Sequence, residues 1–135
     1  MHASPGKVPE GKLTILVVDD FDDTRLLFRT WLERKGFLVI EAENGNEAVA
    51  QAESEHPDLI IMDVEMPELD GLSATRKIRT LKGIDRIPVL VVSAYGADQF
   101  REKALSAGCN AYVSTPFDPS QLEALIRSLI QSCRP

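Results

Sequence analysis

The hydrophobic patterning of this chain predicts an α/β fold built on a parallel sheet, on three observations. Five short, β-rich apolar runs recur along the sequence, stretches of helical period separate them, and the runs are apolar at nearly every position rather than at alternate ones. Strands buried on both faces read this way, and helices on both sides of a parallel sheet bury them so. The runs are LTILVV (13–18), FLVIEA (37–42), DLIIMD (58–63), PVLVVS (88–93) and NAYVS (110–114). The connections between them should be right-handed crossovers.

The helices follow in order. Leu27, Phe28, Trp31 and Leu32 fall on one face of a first helix, and Ala48, Val49 and Ala52 on one face of a second. Leu72, Thr75 and Ile78 mark a third. A fourth, with a weaker pattern, runs over 98–107 and stops at Gly108, a residue suited to the left-handed conformation that follows a helix. DPSQ opens the fifth, with Asp118 as cap, Pro119 at the first helical position and Gln121 completing a reciprocal capping pair. Leu122, Leu125, Ile126, Leu129 and Ile130 then form its apolar stripe.

One domain over 13–135 is expected, preceded by a loose tail at 1–12 that carries two Pro, two Gly and no periodic apolar pattern. With 44% apolar and 27% charged residues, the composition is that of a soluble globular chain. No stretch approaches the roughly 20 continuous apolar residues of a membrane helix, so no membrane role is expected. Fifteen basic residues against 21 acidic ones leave a net charge of −6, which repels a phosphate backbone, so any action on nucleic acid should be indirect. Cys109 and Cys133 have no pairing pattern or metal-ligand spacing, and MHASPGKVPEGK lacks the apolar core of a secretory signal. A cytoplasmic setting follows, with both thiols as small apolar fillers.

The stretch LVVDDFDD sets four carboxylates directly behind the first strand. Asp19 and Asp20 follow that strand, Asp63 ends the third and Ser93 ends the fourth, so a parallel α/β sheet carries all four to the rim where such folds bind ligands. Three carboxylates a few ångströms apart raise one another's pKa unless a cation intervenes, and hard oxygen ligands with room for water suit Mg²⁺. Asp22 and Asp23 are better placed in the first turn of the first helix, where its dipole favours negative charge.

Blander readings compete. Acidic residues at a strand-to-helix turn are commonly caps and solvated charge. Asp63 weighs against that, because an ionised group ending an apolar strand is costly unless something cationic meets it. DFDDT (20–24) also fits the D-x-D-x-T opening of haloacid-dehalogenase-type phosphatases, but the downstream lysine, the second acidic pair and the longer chain of that family are not found. Ser93 as an acyl-transfer nucleophile would need a histidine base, and His2 in the tail and His56 before Pro57 are poorly placed for it. Tyr112 can be ordinary strand packing.

With the acid pair Asp19-Asp20, the block DVEMPELDG from Asp63 to Gly71, the Ser93-Ala94 pair and the Pro116 turn in this order and spacing, the chain resembles the receiver domain of bacterial two-component response regulators over about residues 13–132. The resemblance implies a flavodoxin-like (βα)5 fold with strand order 2-1-3-4-5. It implies that Asp63 accepts a phosphoryl group from a phosphohistidine on a histidine kinase or phosphotransfer protein. Mg²⁺ (or Mn²⁺) would be held by Asp19, Asp20, Asp63 and the backbone carbonyl of Glu65. Ser93, followed by Ala94, would contact a phosphoryl oxygen and draw its loop inward, and Tyr112 matches the aromatic that swings inward with it. Glu65 and Tyr95 would flank the acceptor. A cis peptide is expected before Pro116. The face of the fourth helix, fifth strand and fifth helix would serve protein partners or a homodimer.

The pattern breaks at one position: Thr115 stands where the family has a lysine that touches the phosphoryl group. Three carboxylates and one divalent cation then leave a negative charge that the lysine would have neutralised. Loss of a charged hydrogen bond, worth roughly 1.5–3 kcal/mol, implies phosphorylation slowed on the order of ten- to a hundredfold. The readings to separate are a phosphorylatable receiver with altered chemistry and switching, a docking module indifferent to phosphate, and the phosphatase.

Overall fold

Successive side chains of the first strand, β1 (Thr14–Val18), enter two different cores: Ile15 and Val17 one, Leu16 and Val18 the other. A computed structural model describes residues 12–63, 70–93 and 98–132. The same division recurs in β3 (Leu59–Met62) and β4 (Val89–Ser93), where Leu59, Ile61, Leu90 and Val92 face one core and Ile60, Met62, Val89 and Val91 the other. Two-sided burial explains why these runs are continuously apolar in the sequence. β2 (Leu38–Ala42) and β5 (Ala111–Ser114) lie at the edges and are only partly buried. All pairings are parallel, in the order β2-β1-β3-β4-β5.

Two helices cover one face. α1 (Asp22–Arg34) contributes Phe28 and Leu32, and α5 (Pro119–Ser132) contributes Leu122, Ile126 and Ile130. On the other face, α2 (Gly45–Glu55) places Ala48, Val49 and Ala52, α3 (Gly71–Thr80) places Leu72, Ala74 and Ile78, and α4 (Asp98–Ser106) places Ala104. Among the described residues, no helix is long and apolar enough to cross a membrane.

The first helix departs from its sequence pattern. Leu27, expected on the buried face, is 71% exposed, and the buried line runs instead through Arg25, Phe28 and Leu32, with Trp31 half-buried. The helix is rotated so that the i, i+3, i+7 row meets the sheet, which leaves Leu27 one step off it. Arg25 is admitted to that row because its charge is fully engaged, as described below.

The helix ends behave largely as expected. Asp22 and Asp23 occupy the first turn of α1. Gly108 adopts φ +107 after α4, and its carbonyl accepts from Arg79 Nε at 2.8 Å, which ties α3 to the approach to β5. His56 closes α2 in the left-handed conformation ahead of Pro57, on the amino-terminal approach to β3, whereas Ser93 ends β4 at the carboxyl end of the strands. Asp118 Oδ1 accepts from the backbone N–H groups of Ser120 (2.9 Å) and Gln121 (3.4 Å). A third donor to the same oxygen is the Ser120 hydroxyl, at 2.7 Å. Cys109 is buried, which pushes its thiol up to about 11 and supports the filler reading. Residues 1–11 of the expected tail, and Cys133, lie outside the described residues.

Gly71 opens α3 directly against the end of β3. A Cβ built there would fall 2.0 Å from the Asp63 carbonyl oxygen and 2.9 Å from Met62 Cγ, so only a bare backbone lets the helix approach. Gly71→Ala is therefore expected to lower stability by about 1–3 kcal/mol, the usual range for overpacking, read as a reduced urea midpoint.

Candidate functional site

Two backbone hydrogen bonds at the carboxyl end of β1 set the site. The N–H of Asp19 donates to the Ala42 carbonyl of β2 (3.1 Å), and the N–H of Asp63 donates to the Val18 carbonyl of β1 (3.0 Å). The ladder thereby continues just past the strands on both sides and holds the two acids in fixed register. One carboxylate oxygen from each of Asp19, Asp20 and Asp63 lies within 4.8 Å of the others. Asp20 is exposed, whereas Asp19 and Asp63 are half-buried.

The electrostatics of Asp19 show what this convergence does. Its carboxyl is held above the ordinary aspartate range, first by burial and then by the neighbouring Asp20, against the lowering effect of the Phe21 N–H and of Arg25. The Phe21 N–H donates to Asp19 Oδ1 at 2.9 Å, which fixes the carboxylate's orientation. The mutual repulsion expected from the sequence is present through Asp20 and ranks behind burial. Both favour a cation.

Ser93 and Thr115 line the same cleft as the three acids, together with Thr24, Phe21 and Phe28. Its volume of about 690 Å³ leaves room for a hydrated ion and a phosphoryl-sized group, since each water needs roughly 30 Å³. Ser93 is 3% exposed at the end of β4, where its carbonyl accepts from the Thr115 N–H at 2.9 Å. The Thr115–Pro116 peptide is cis, as expected. Phe117 stacks on Phe28 with ring centroids 6.1 Å apart, so the segment carrying Thr115 is pinned to both β4 and α1.

Other expected residues lie elsewhere. Tyr112 is buried in the core under α2, α3 and α4, and with Pro116 it borders a separate groove on the α4–β5–α5 face. Glu65, Ala94 and Tyr95 lie outside the described residues, as does most of the DVEMPELDG block between Asp63 and Asp70. Asp22, the second acid of the phosphatase pattern, pairs with Arg25 and does not line the cleft.

Arg25 is the residue that sequence reasoning missed. Its Nη1 donates to the Asp19 carbonyl oxygen at 2.7 Å, its Nε to Glu41 Oε1 at 2.9 Å, and its Nη2 to Asp22. The signal was Glu41, a lone acid inside an otherwise apolar strand that requires a cationic partner. Burial alone would lift the Glu41 carboxyl, but Arg29 and Arg25 together hold it below its ordinary range.

An acid pair after β1, an acid ending β3, a hydroxyl ending β4 and a cis proline after β5 are thus brought to one rim. Comparisons with known proteins agree with this arrangement. The response regulator receiver domain matches residues 15–127. The chain is 40% identical over 116 residues to an uncharacterized 14.6 kDa protein in the sodA1 3' region of Leptolyngbya boryana, covering 86% of this chain and 88% of that one. It is 41% identical over 120 residues to the probable transcriptional regulator ycf27 of Cyanophora paradoxa, covering 89% of this chain but only 49% of that protein. Among solved structures, the receiver domain of the sensor histidine kinase PA1611 from Pseudomonas aeruginosa superposes with a TM-score of 0.83 at 33% identity, over 90% of this chain and 99% of that one. That crystal structure holds a magnesium ion coordinated in its active site cleft. By sequence match, strand order and the placement of its acids, this chain belongs to the response regulator receiver domain family of two-component signalling.

Proposed function

We propose that the chain accepts a phosphoryl group on Asp63 from a phosphohistidine on a histidine kinase or phosphotransfer protein. The observation that carries this reading is the meeting of Asp19, Asp20 and Asp63 within 4.8 Å, beside Ser93, in a cleft open to solvent. Three hard oxygen donors, one of them lifted by burial, fit Mg²⁺ or Mn²⁺, with the Glu65 carbonyl as a further ligand. When bound, the cation supplies positive charge to the transferring phosphoryl oxygens.

The protein's own part is orientation. A carboxylate oxygen of Asp63 attacks phosphorus in line, the P–N bond to the donor imidazole breaks, and the imidazole nitrogen keeps the electron pair. Asp19, locked by the ladder at the end of β1, and the adjacent Asp20 keep the charge around the acceptor fixed during the transfer. Ser93 donates its hydroxyl to a phosphoryl oxygen as it and the neighbouring Ala94 draw inward, with Tyr112 following. Protein partners, including a second copy of the chain, would meet the resulting state on the α4–β5–α5 face.

Thr115 bears on rate and relay. It lines the cleft but brings no charge, so both the resting and the phosphorylated site keep an excess of negative charge. This favours a second reading, in which the domain docks a partner without regard to phosphate. A fluoroberyllate mimic with Mg²⁺ separates the two, because only the first reading expects an adduct and a shifted spectrum.

With Mg²⁺ and a small phosphodonor, the mass of one phosphoryl group should appear, and Asp63→Asn should remove it. Absence of any adduct at saturating metal would leave the docking reading in place. Thr115→Lys should speed phosphorylation about ten- to a hundredfold, given roughly 1.5–3 kcal/mol for one charged hydrogen bond. Quenched-flow phosphorylation rates would measure it.

Because the folded pKa of Asp19 is raised, the metal-free protein is destabilised at neutral pH by the ionised carboxylate. The penalty fades as pH falls through the folded pKa towards the ordinary aspartate range. Asp19→Asn should therefore raise the melting temperature of the metal-free protein at neutral pH and bring no such gain at low pH. The same variant should no longer be stabilised by Mg²⁺, which thermal melts with and without the ion would read.

A further inference from the structure

Arg25 is 7% exposed, yet it carries a full charge beside three converging acids. All three of its guanidinium nitrogens are engaged, on the Asp19 carbonyl, Glu41 and Asp22. Glu41 is itself gripped by Arg29, and its own carbonyl accepts from Gln51 Nε2 at 3.2 Å, so the anchor on β2 is tied to α1 and α2. Asp19 is consequently held from three sides: its N–H by Ala42, its Oδ1 by the Phe21 N–H, and its carbonyl by Arg25. The Asp19 carbonyl belongs to the peptide that leads into Asp20. Arg25 therefore holds the hinge between the two adjacent acids.

We propose that Arg25 is a positioning residue that fixes the Asp19–Asp20 peptide and so sets the spacing of the carboxylates for a divalent cation. The inference rests on the metal-binding reading of those acids, and it assigns the arginine a role that its charge alone would oppose. A cation near a cation site weakens metal binding by repulsion, whereas a clamp on a ligand-bearing peptide strengthens it by pre-organisation. Pairing with Glu41 and Asp22 offsets most of the charge and leaves the geometry. A planar fork is needed, because an ammonium cannot reach three acceptors lying in different directions from one rigid plane.

The opposite signs of the two effects make a clean test. Isothermal titration with Mg²⁺ is compared for the wild-type protein, Arg25→Lys and Arg25→Gln, with thermal melts of each in the absence of metal. Arg25→Lys keeps the charge and loses the fork, so its Mg²⁺ dissociation constant should rise about tenfold, the lower end of what loss of an outer-shell partner brings. Arg25→Gln removes the charge together with the fork, so lost repulsion alone would tighten Mg²⁺ whereas a lost clamp weakens it; weaker binding is expected, and this neutral variant serves if the lysine variant does not fold. A purely structural role would lower the metal-free melting temperature and leave the dissociation constant of the folded protein unchanged. That result, or tighter Mg²⁺ binding in either variant, overturns the proposal. Absence of Mg²⁺ binding by the wild-type protein overturns the metal reading itself, an outcome distinct from wild-type binding that the substitutions do not alter.

Discussion

The crowding of like charge at the end of β1 is the constraint on which the rest of the molecule depends. β1 lies between β2 and β3, is buried on both faces and is locked by parallel hydrogen bonds on both sides. The ladder continues to Asp19 and Asp63, so these acids cannot swing apart without breaking it. Burial then lifts the Asp19 carboxyl, and the neighbouring Asp20 adds to it. A rigid, apolar sheet thus forces carboxylates together at its rim and leaves them in need of a cation. The free protein thus carries closely gathered negative charge at this rim, in hard oxygen donors of the kind that suit a divalent cation.

Several features look unrelated until set against that constraint. Gly71 has no side chain because α3 starts in contact with the Asp63 carbonyl. Arg25 is buried because the Asp19 carbonyl, at the turn into α1, needs a donor, and Glu41 is tolerated within β2 because Arg25 and Arg29 meet it there. Each answers to the placement of one or two backbone atoms. The cores on the two faces of the sheet provide the stiffness that makes such placement meaningful.

The segment after β5 is held differently. Its anchors are the Thr115 N–H on the Ser93 carbonyl and the stacking of Phe117 on Phe28, neither of which involves charge. Phe28 lines the acidic cleft and also an apolar groove with Leu27, Trp31, Phe117 and Pro119, so α1 is shared between the rim and the start of α5. Threonine at 115 lines the acidic cleft without bringing a charge to it. The segment's position is secured by packing, and its electrostatic link to the acids is weak.

The fold was legible because its signals are local and repeated. Continuous apolar runs specify strands buried on both sides, Gly108 and Asp118 mark helix ends by their own backbone chemistry, and the order of Asp19, Asp20, Asp63 and Ser93 on strand ends places them on one rim. What the sequence by itself could not determine was rotation and reach. Whether Leu27 or Arg25 joins the buried row of α1 depends on the angle at which the helix meets the sheet, and the tertiary structure chose Arg25. The bond from Arg25 to Glu41 spans 16 residues, and the approach of Gly71 to Asp63 is too close to admit any Cβ. Periodicity fixes which residues share a face, but only the packed chain decides which face is buried and which charges then find each other.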